Sequence, residues 1–157
     1  GVAIDNLLLR MSDEELTTTL TTNVHGALYL ARAAMRPMMR GRWGRFIAVS
    51  SVIGQMGNPG QTAYAASKAG VLSLVKSVAR EIAGSGVRIN ALTPGPSDTA
   101  MHKTITPELK ARIAEGLPMK RMGRPDDMAA AILFLSSSAA GFVYGASLDV
   151  DGGAMFR

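Results

Sequence analysis

The chain has 157 residues, 47% of them hydrophobic and 18% charged, a composition that suits one folded domain with a real core and excludes a disordered chain. It has no cysteine, which excludes disulfide stapling and thiolate chemistry. His25 and His102 lie far apart with no metal-ligand spacing around them, so no metal site is expected. The net charge is +5, but no zinc-finger spacing, RNA-binding signature or aromatic-interleaved basic stripe accompanies it, so no nucleic-acid partner is expected. No apolar run reaches the length of a membrane span and no signal-peptide pattern leads the chain, so a cytoplasmic protein with no membrane contact is expected.

After a short apolar-polar lead, Ser12 and Glu15 form a capping-box pattern that starts a helix. Apolar residues from Leu16 to Met35 recur at helical spacing, which predicts one long helix ending near Arg40-Gly41, with a bend or early stop possible at Pro37. Arg45–Ser50 reads as a buried strand and the segment 54–60, with three glycines and Pro59, as a loop. A second long helix is predicted from Thr62 to Ala83, stopped by Gly84-Ser85-Gly86. Val87–Thr93 reads as a strand ending at Pro94-Gly95, and residues 96–106 as a mobile loop. Helices over 107–116 and 125–138 start at prolines, Asp126 and Asp127 suit the positive end of the second, and Ser147–Val150 is a last strand. The alternation of helix and strand predicts an α/β fold with a parallel sheet.

Tyr64 and Lys68 stand one helical turn apart on one face, among small residues that let another group approach closely. An ammonium within about 4–6 Å of a phenol favours the phenolate, and a lowered pKa would make Tyr64 a usable general acid. The same pair is compatible with a half-buried tyrosine beside a solvated lysine. Ser51 ends a buried strand, and the C-terminal edge of a parallel sheet is where α/β proteins place their sites. Its hydroxyl could orient a carbonyl toward Tyr64, or it could, with Ser50, simply cap the strand. No Gly-x-Ser-x-Gly elbow or neighbouring histidine supports a serine hydrolase. Asn23 falls inside a helix, an unfavourable place for asparagine; if buried, its amide needs partners such as a backbone carbonyl, a water or Lys68.

Seven segments carry a resemblance in register: Thr22-Asn23-Val24, Gly44-Arg45-Phe46-Ile47 leading to Val49-Ser50-Ser51, Tyr64-Ala65-Ala66-Ser67-Lys68-Ala69, Arg88 to Gly95, Thr99 with Met101, Arg121 to Asp126, and Val150-Asp151-Gly152-Gly153. Together they resemble the short-chain dehydrogenase/reductase family. Within it, Asp5 to Leu8, Met11, Asp13 to Glu15 and Gly54 to Gln61 are similar to the group of bacterial 3-oxoacyl-[acyl-carrier-protein] reductases.

The resemblance implies the C-terminal, catalytic part of a doubly wound parallel-sheet Rossmann fold spanning residues 1–157. The N-terminal dinucleotide-binding strands, about 90 residues by the usual size of such a domain, would be absent, and with them the Gly-rich turn that holds a pyrophosphate. It implies reduction of a carbonyl to an alcohol with NADPH, NAD not excluded, most similar to 3-oxoacyl to 3-hydroxyacyl reduction in fatty acid synthesis. Reduction of another alcohol, sugar or steroid substrate, or an inactive assembly module, are the alternatives. The catalytic tetrad would be Asn23, Ser51, Tyr64 and Lys68. Tyr64 would protonate the alkoxide, Lys68 would lower the Tyr64 pKa and bind the nicotinamide ribose, Ser51 would polarise the carbonyl, and Asn23 would hold a water leading to Lys68. Pro94, Gly95, Ser97 and Thr99 would join Tyr64 and Lys68 around the cofactor. A homotetramer is implied for the intact enzyme, and these residues alone are expected to be inactive. Arg32, Arg36, Arg40 and Arg42 form either a docking patch for acyl carrier protein or a solvated face; Ser85, where carrier-using relatives tend to be basic, is a departure from the group.

Overall fold

A computed structural model describes residues 1–99 and 105–156; Met101 and His102, with the middle of the 96–106 segment, lie outside the described residues. The expected capping box opens helix α1 (Asp13–Leu20): the Ser12 hydroxyl accepts from Glu15 N at 3.2 Å, and the Glu15 carboxylate accepts from Ser12 N at 2.8 Å. The single long helix expected to follow is interrupted. A π turn, Thr21–His25, separates α1 from α2 (Gly26–Arg40). A π turn inserts one residue and shifts the helical faces on either side of it, and here it buries Asn23 to 6% exposure. Pro37 does not stop α2, which runs on to Arg40 and closes with Gly41 N–H donating to Pro37 O at 3.0 Å.

Three strands, β1 (Gly44–Val49), β2 (Val87–Pro94) and β3 (Ser147–Val150), form a parallel sheet in the order β1-β2-β3. Gly44 pairs with Val87 and Val49 with Leu92, while Ala91 pairs with Ser147 and Pro94 with Val150. Between β1 and β2 lie α3 (Ile53–Met56) and α4 (Thr62–Glu81). The short α3 occupies part of what reads in the sequence as a plain loop. Between β2 and β3 lie α5 (Pro107–Gly116) and α6 (Pro125–Ser136). Val87, Ile89 and Ala91 alternate onto one face of β2 and pack with Ala31 and Met35 of α2 and Val71, Leu74 and Val75 of α4. On α6, which contacts all three strands, Leu135 is buried.

Among the described residues β1 is paired on one side only. Val49 at its end is 48% exposed, and Leu133 and Phe134 of α6 also face outward. No helix among the described residues is long and apolar enough to cross a membrane.

Candidate active site

Because the strands are parallel, their C-terminal ends share one edge. Backbone bonds extend the ladder past them: Ser50 N–H to Leu92 O at 2.8 Å, Val52 N–H to Pro94 O at 3.1 Å and Gly95 N–H to Val150 O at 3.1 Å. Ser50, Ser51, Pro94 and Gly95 therefore sit together. The two serines divide the work. Ser50 is buried and its hydroxyl donates to Lys68 O at 2.8 Å, tying the strand end to α4. Ser51 starts the turn into α3, and its hydroxyl accepts from Ile53 N–H at 3.2 Å. Gly54 lets α3 lie directly on α4: a Cβ there would stand 2.7 Å from the Lys68 carbonyl carbon and 2.8 Å from Ala69 N. This backbone-to-backbone contact brings the Ser51 hydroxyl into the neighbourhood of the Tyr64 phenol, where it favours the phenolate.

Lys68 does not extend into solvent. It is 8% exposed, donates from Nζ to Val49 O at 3.0 Å, and lies 5.7 Å from the centroid of the Tyr64 ring. The electrostatic outcome differs from the sequence expectation. Burial is the largest influence on Tyr64 and pushes its pKa above the usual 10.0; the Ser51 hydroxyl opposes this, and the Asp5 carboxylate adds to it. Burial also pushes Lys68 below its usual 10.5. Desolvation thus works against the charged form of each group, and for Tyr64 it is the largest influence.

Asn23 is buried with its amide fully engaged. Oδ1 accepts from Val2 N–H at 2.8 Å, while Nδ2 donates to Val2 O at 2.9 Å and to Ser67 Oγ at 3.0 Å. Ser67 in turn donates to Tyr64 O at 2.7 Å. Of the partners the sequence suggested for this amide, a backbone carbonyl is the one found, and it belongs to the leading segment. Gly1 lies between Asn23 and Lys68: a Cβ on it would meet Asn23 Oδ1 at 2.8 Å and Lys68 Nζ at 3.4 Å.

The structure thus brings Asn23, Ser51, Tyr64 and Lys68 into one neighbourhood, with Pro94 and Gly95 at the adjoining strand end. Ser97 is buried and its hydroxyl donates back to Gly95 O at 2.9 Å, holding the turn after β2. Thr99 is exposed at the limit of the described residues. Arg32, Arg36, Arg40 and Arg42 are exposed along α2 and the turn that follows, away from this edge. No group of three or more His, Asp or Glu residues that could hold a metal occurs among the described residues.

Sequence reasoning missed Ser67 and Val2 as partners of Asn23. The small residues around Tyr64 were the available signal for the first, whereas nothing in the leading segment marked the second. It also missed a strap from α3 to β3, in which Gln55 Nε2 donates to Asp149 Oδ1 at 2.7 Å.

A family model described as enoyl-(acyl carrier protein) reductase matches residues 1–155. Among curated relatives, the 3-oxoacyl-[acyl-carrier-protein] reductase FabG of Haemophilus influenzae is 44% identical and that of Vibrio harveyi 43%. Each alignment covers 98% of this chain and 63% of the relative. The solved structure of an Agrobacterium tumefaciens protein, assigned provisionally as a gluconate dehydrogenase, superposes with a TM-score of 0.96 at 26% identity, covering 100% of this chain and 63% of that one. The chain therefore spans less than two thirds of the length of these relatives. With a family model matching nearly its whole length, relatives above 40% identity and the three-stranded parallel sheet of a partial Rossmann fold, the chain belongs to the short-chain dehydrogenase/reductase family.

Proposed function

We propose that residues 1–157 are the catalytic part of a nicotinamide-dependent carbonyl reductase that converts a 3-oxoacyl thioester on acyl carrier protein to the 3-hydroxyacyl form. The observation that carries this reading is the placement of the Ser51 and Tyr64 hydroxyls side by side at the C-terminal sheet edge, with the Lys68 ammonium behind them. Two adjacent hydroxyls can both hydrogen-bond one carbonyl oxygen. The names of the relatives supply the substrate class.

The residues present fit the nicotinamide end of a dinucleotide. Among the described residues Lys68 has one hydrogen-bond acceptor, Val49 O, which leaves ammonium hydrogens for a ribose hydroxyl. Pro94 and Gly95 offer a close backbone edge beside it. When bound, the reduced nicotinamide supplies the hydride that the carbonyl carbon accepts. Ser51 orients the carbonyl oxygen, and Tyr64 delivers its phenolic proton to that oxygen as it gains charge. Lys68 lies close enough to steady the phenolate left behind. Asn23 fixes the leading segment and α4 around Lys68; with its side-chain amide already engaged, a water that returns the proton would be held by Lys68. NADPH is the proposed donor, acyl carrier protein docks on Arg32, Arg36, Arg40 and Arg42, and the intact enzyme is a cytoplasmic homotetramer.

The test is consumption of NADPH with a 3-oxoacyl thioester by the full-length enzyme and by Tyr64→Phe. The variant should fold normally and lose about 10²–10⁴ in rate; an unchanged rate would remove the proposed role. A second reading, oxidation or reduction of a small sugar acid, is favoured by the structural neighbour. Activity on gluconate with none on the thioester would select it.

A further inference from the structure

Asp5 belongs to no part of the proposed tetrad, yet it stands where it can govern Tyr64. Gln61 is the residue from which α4 starts, three positions before Tyr64, and its side chain makes no capping bond to the helix. Instead Gln61 Nε2 donates to Asp5 Oδ1 at 2.9 Å, and Asn58 Nδ2 donates to Gln61 Oε1 at 3.0 Å. The neighbouring backbone adds Asn6 N–H to Gly60 O at 2.8 Å. Asn6 is itself anchored, its Nδ2 donating to Arg10 O at 3.1 Å and Glu15 Oε2 at 3.3 Å. The leading segment thus clamps the turn 58–61 from both side chain and backbone. Val2 repeats this further along, through Asn23 and Ser67 to the Tyr64 carbonyl.

The charged groups around the phenol are few. Lys68 lies one turn along the same helix, and Asp5 reaches it from the leading segment. α3 and the turn before α4 carry no charged residue. On α1, which also packs against α4, Glu15 is turned back onto Ser12 and Asn6, and Asp13 and Glu14 are exposed; on the π turn, which packs against α4 as well, His25 is exposed. Asp5 is thus the carboxylate that acts on Tyr64, and its influence favours the protonated phenol.

We propose that Asp5 is a positioning residue for Tyr64: it holds Gln61, and with it the turn from which α4 and its phenol start, and it sets a negative charge at that end of the site. The role rests on the reductase reading, in which the phenol must begin as a proton donor. Asn at this position keeps an acceptor for Gln61 and removes the charge, whereas Ala removes both.

The experiment follows tyrosinate absorbance against pH in the full chain, with Tyr64→Phe subtracted to isolate Tyr64, beside steady-state kinetics on the thioester. Asp5→Asn should move the Tyr64 midpoint to lower pH, and added salt should shrink the difference, since Asp5 is exposed. Asp5→Ala should lower kcat roughly tenfold, with KM changing less, by letting the phenol drift, and Asp5→Asn should recover most of that loss. An unmoved midpoint in Asp5→Asn at low salt would overturn the electrostatic role. Equal kcat losses in the Asn and Ala variants would overturn the link through Gln61. Should Asp5→Ala fail to fold, the Asn titration still decides. Because the titration needs no turnover, failure of the reductase reading would show as an inactive parent enzyme with the midpoint shift intact.

Discussion

Replacing Gly54 by Ala adds one methyl group at the contact that sets Ser51 against Tyr64. That Cβ would lie 2.7 Å from the Lys68 carbonyl carbon and 2.8 Å from Ala69 N. Both are helix backbone, so no flexible side chain can swing away. Restoring ordinary van der Waals contact at 3.4 Å requires about 0.7 Å of separation between α3 and α4. The strand end cannot follow freely, because Ser50 is held to Lys68 O and the backbone of 50–52 is bonded to β2. Overpacking of this kind costs about 1–3 kcal/mol, or about 2–12 °C in Tm for a domain of this size. The same movement opens the gap between the Ser51 and Tyr64 hydroxyls, and a displacement near 1 Å at reacting groups costs up to about 10² in rate. Calorimetry and NADPH oxidation by the full-length variant measure the two effects. A Gly54→Ala enzyme with unchanged Tm and kcat would show that α3 does not rest on α4 as described. A lowered Tm with normal kcat would separate the packing from the site.

Lys68→Met should give the opposite pattern, with turnover falling about 10²-fold or more while Tm stays level or rises. The sign follows from burial: Lys68 titrates below 10.5 in the folded chain. Between that lowered value and 10.5 the unfolded chain binds more protons, so this residue makes stability rise with pH, and the Met variant should lose that rise in a pH series of melts. Asp127 is held below its usual 3.8 by Arg121, through contacts of 2.6 and 3.1 Å, and by Arg124 N–H at 2.8 Å. Its contribution is complete above 3.8 and disappears as pH falls below it, so Asp127→Ala should lower Tm at neutral pH and match the parent in acid. Residues 1–157 on their own should bind NADPH weakly and turn over little, because among the described residues β1 is paired on one side only and the sequence has no Gly-rich pyrophosphate turn; dye binding to exposed apolar surface and a turnover assay check both.

Most elements are legible in the sequence because they rest on local signals. Capping at Ser12, proline at the starts of α5 and α6, and apolar runs for β1 and β2 all gave element positions within a few residues. The π turn at Thr21–His25 is not legible in this way, since it follows from tertiary anchoring: Val2 grips Asn23 from 21 residues away. Likewise the grouping of Ser51, Tyr64 and Lys68 follows from strand and helix spacing. The glycine contact that completes it depends on how α3 settles on α4, which no periodicity encodes. The four-residue α3 is too short for a helical pattern to register.

The electrostatics of the site required the fold for the same reason. Spacing alone suggests that an ammonium one turn away acidifies the phenol. Once both groups are buried, the usual order of their proton affinities, lysine at 10.5 above tyrosine at 10.0, is pushed toward reversal by burial, which raises one and lowers the other. Placing the two groups close together therefore does not create a phenolate; it creates a phenol that keeps its proton until something else stabilises the anion. A proton donor for reduction has to meet that condition, since an already ionised tyrosine has no proton to give. The exposed rim charge at Asp5 acts in the same direction as burial. Any cation brought to the sheet edge, where Lys68 donates to Val49 O, acts against both. The acidity of Tyr64 is then governed by what binds at that edge. The midpoint of its titration should fall when a cationic nicotinamide analogue is added to the full-length enzyme. A midpoint insensitive to such a ligand would mean that burial alone sets the phenol.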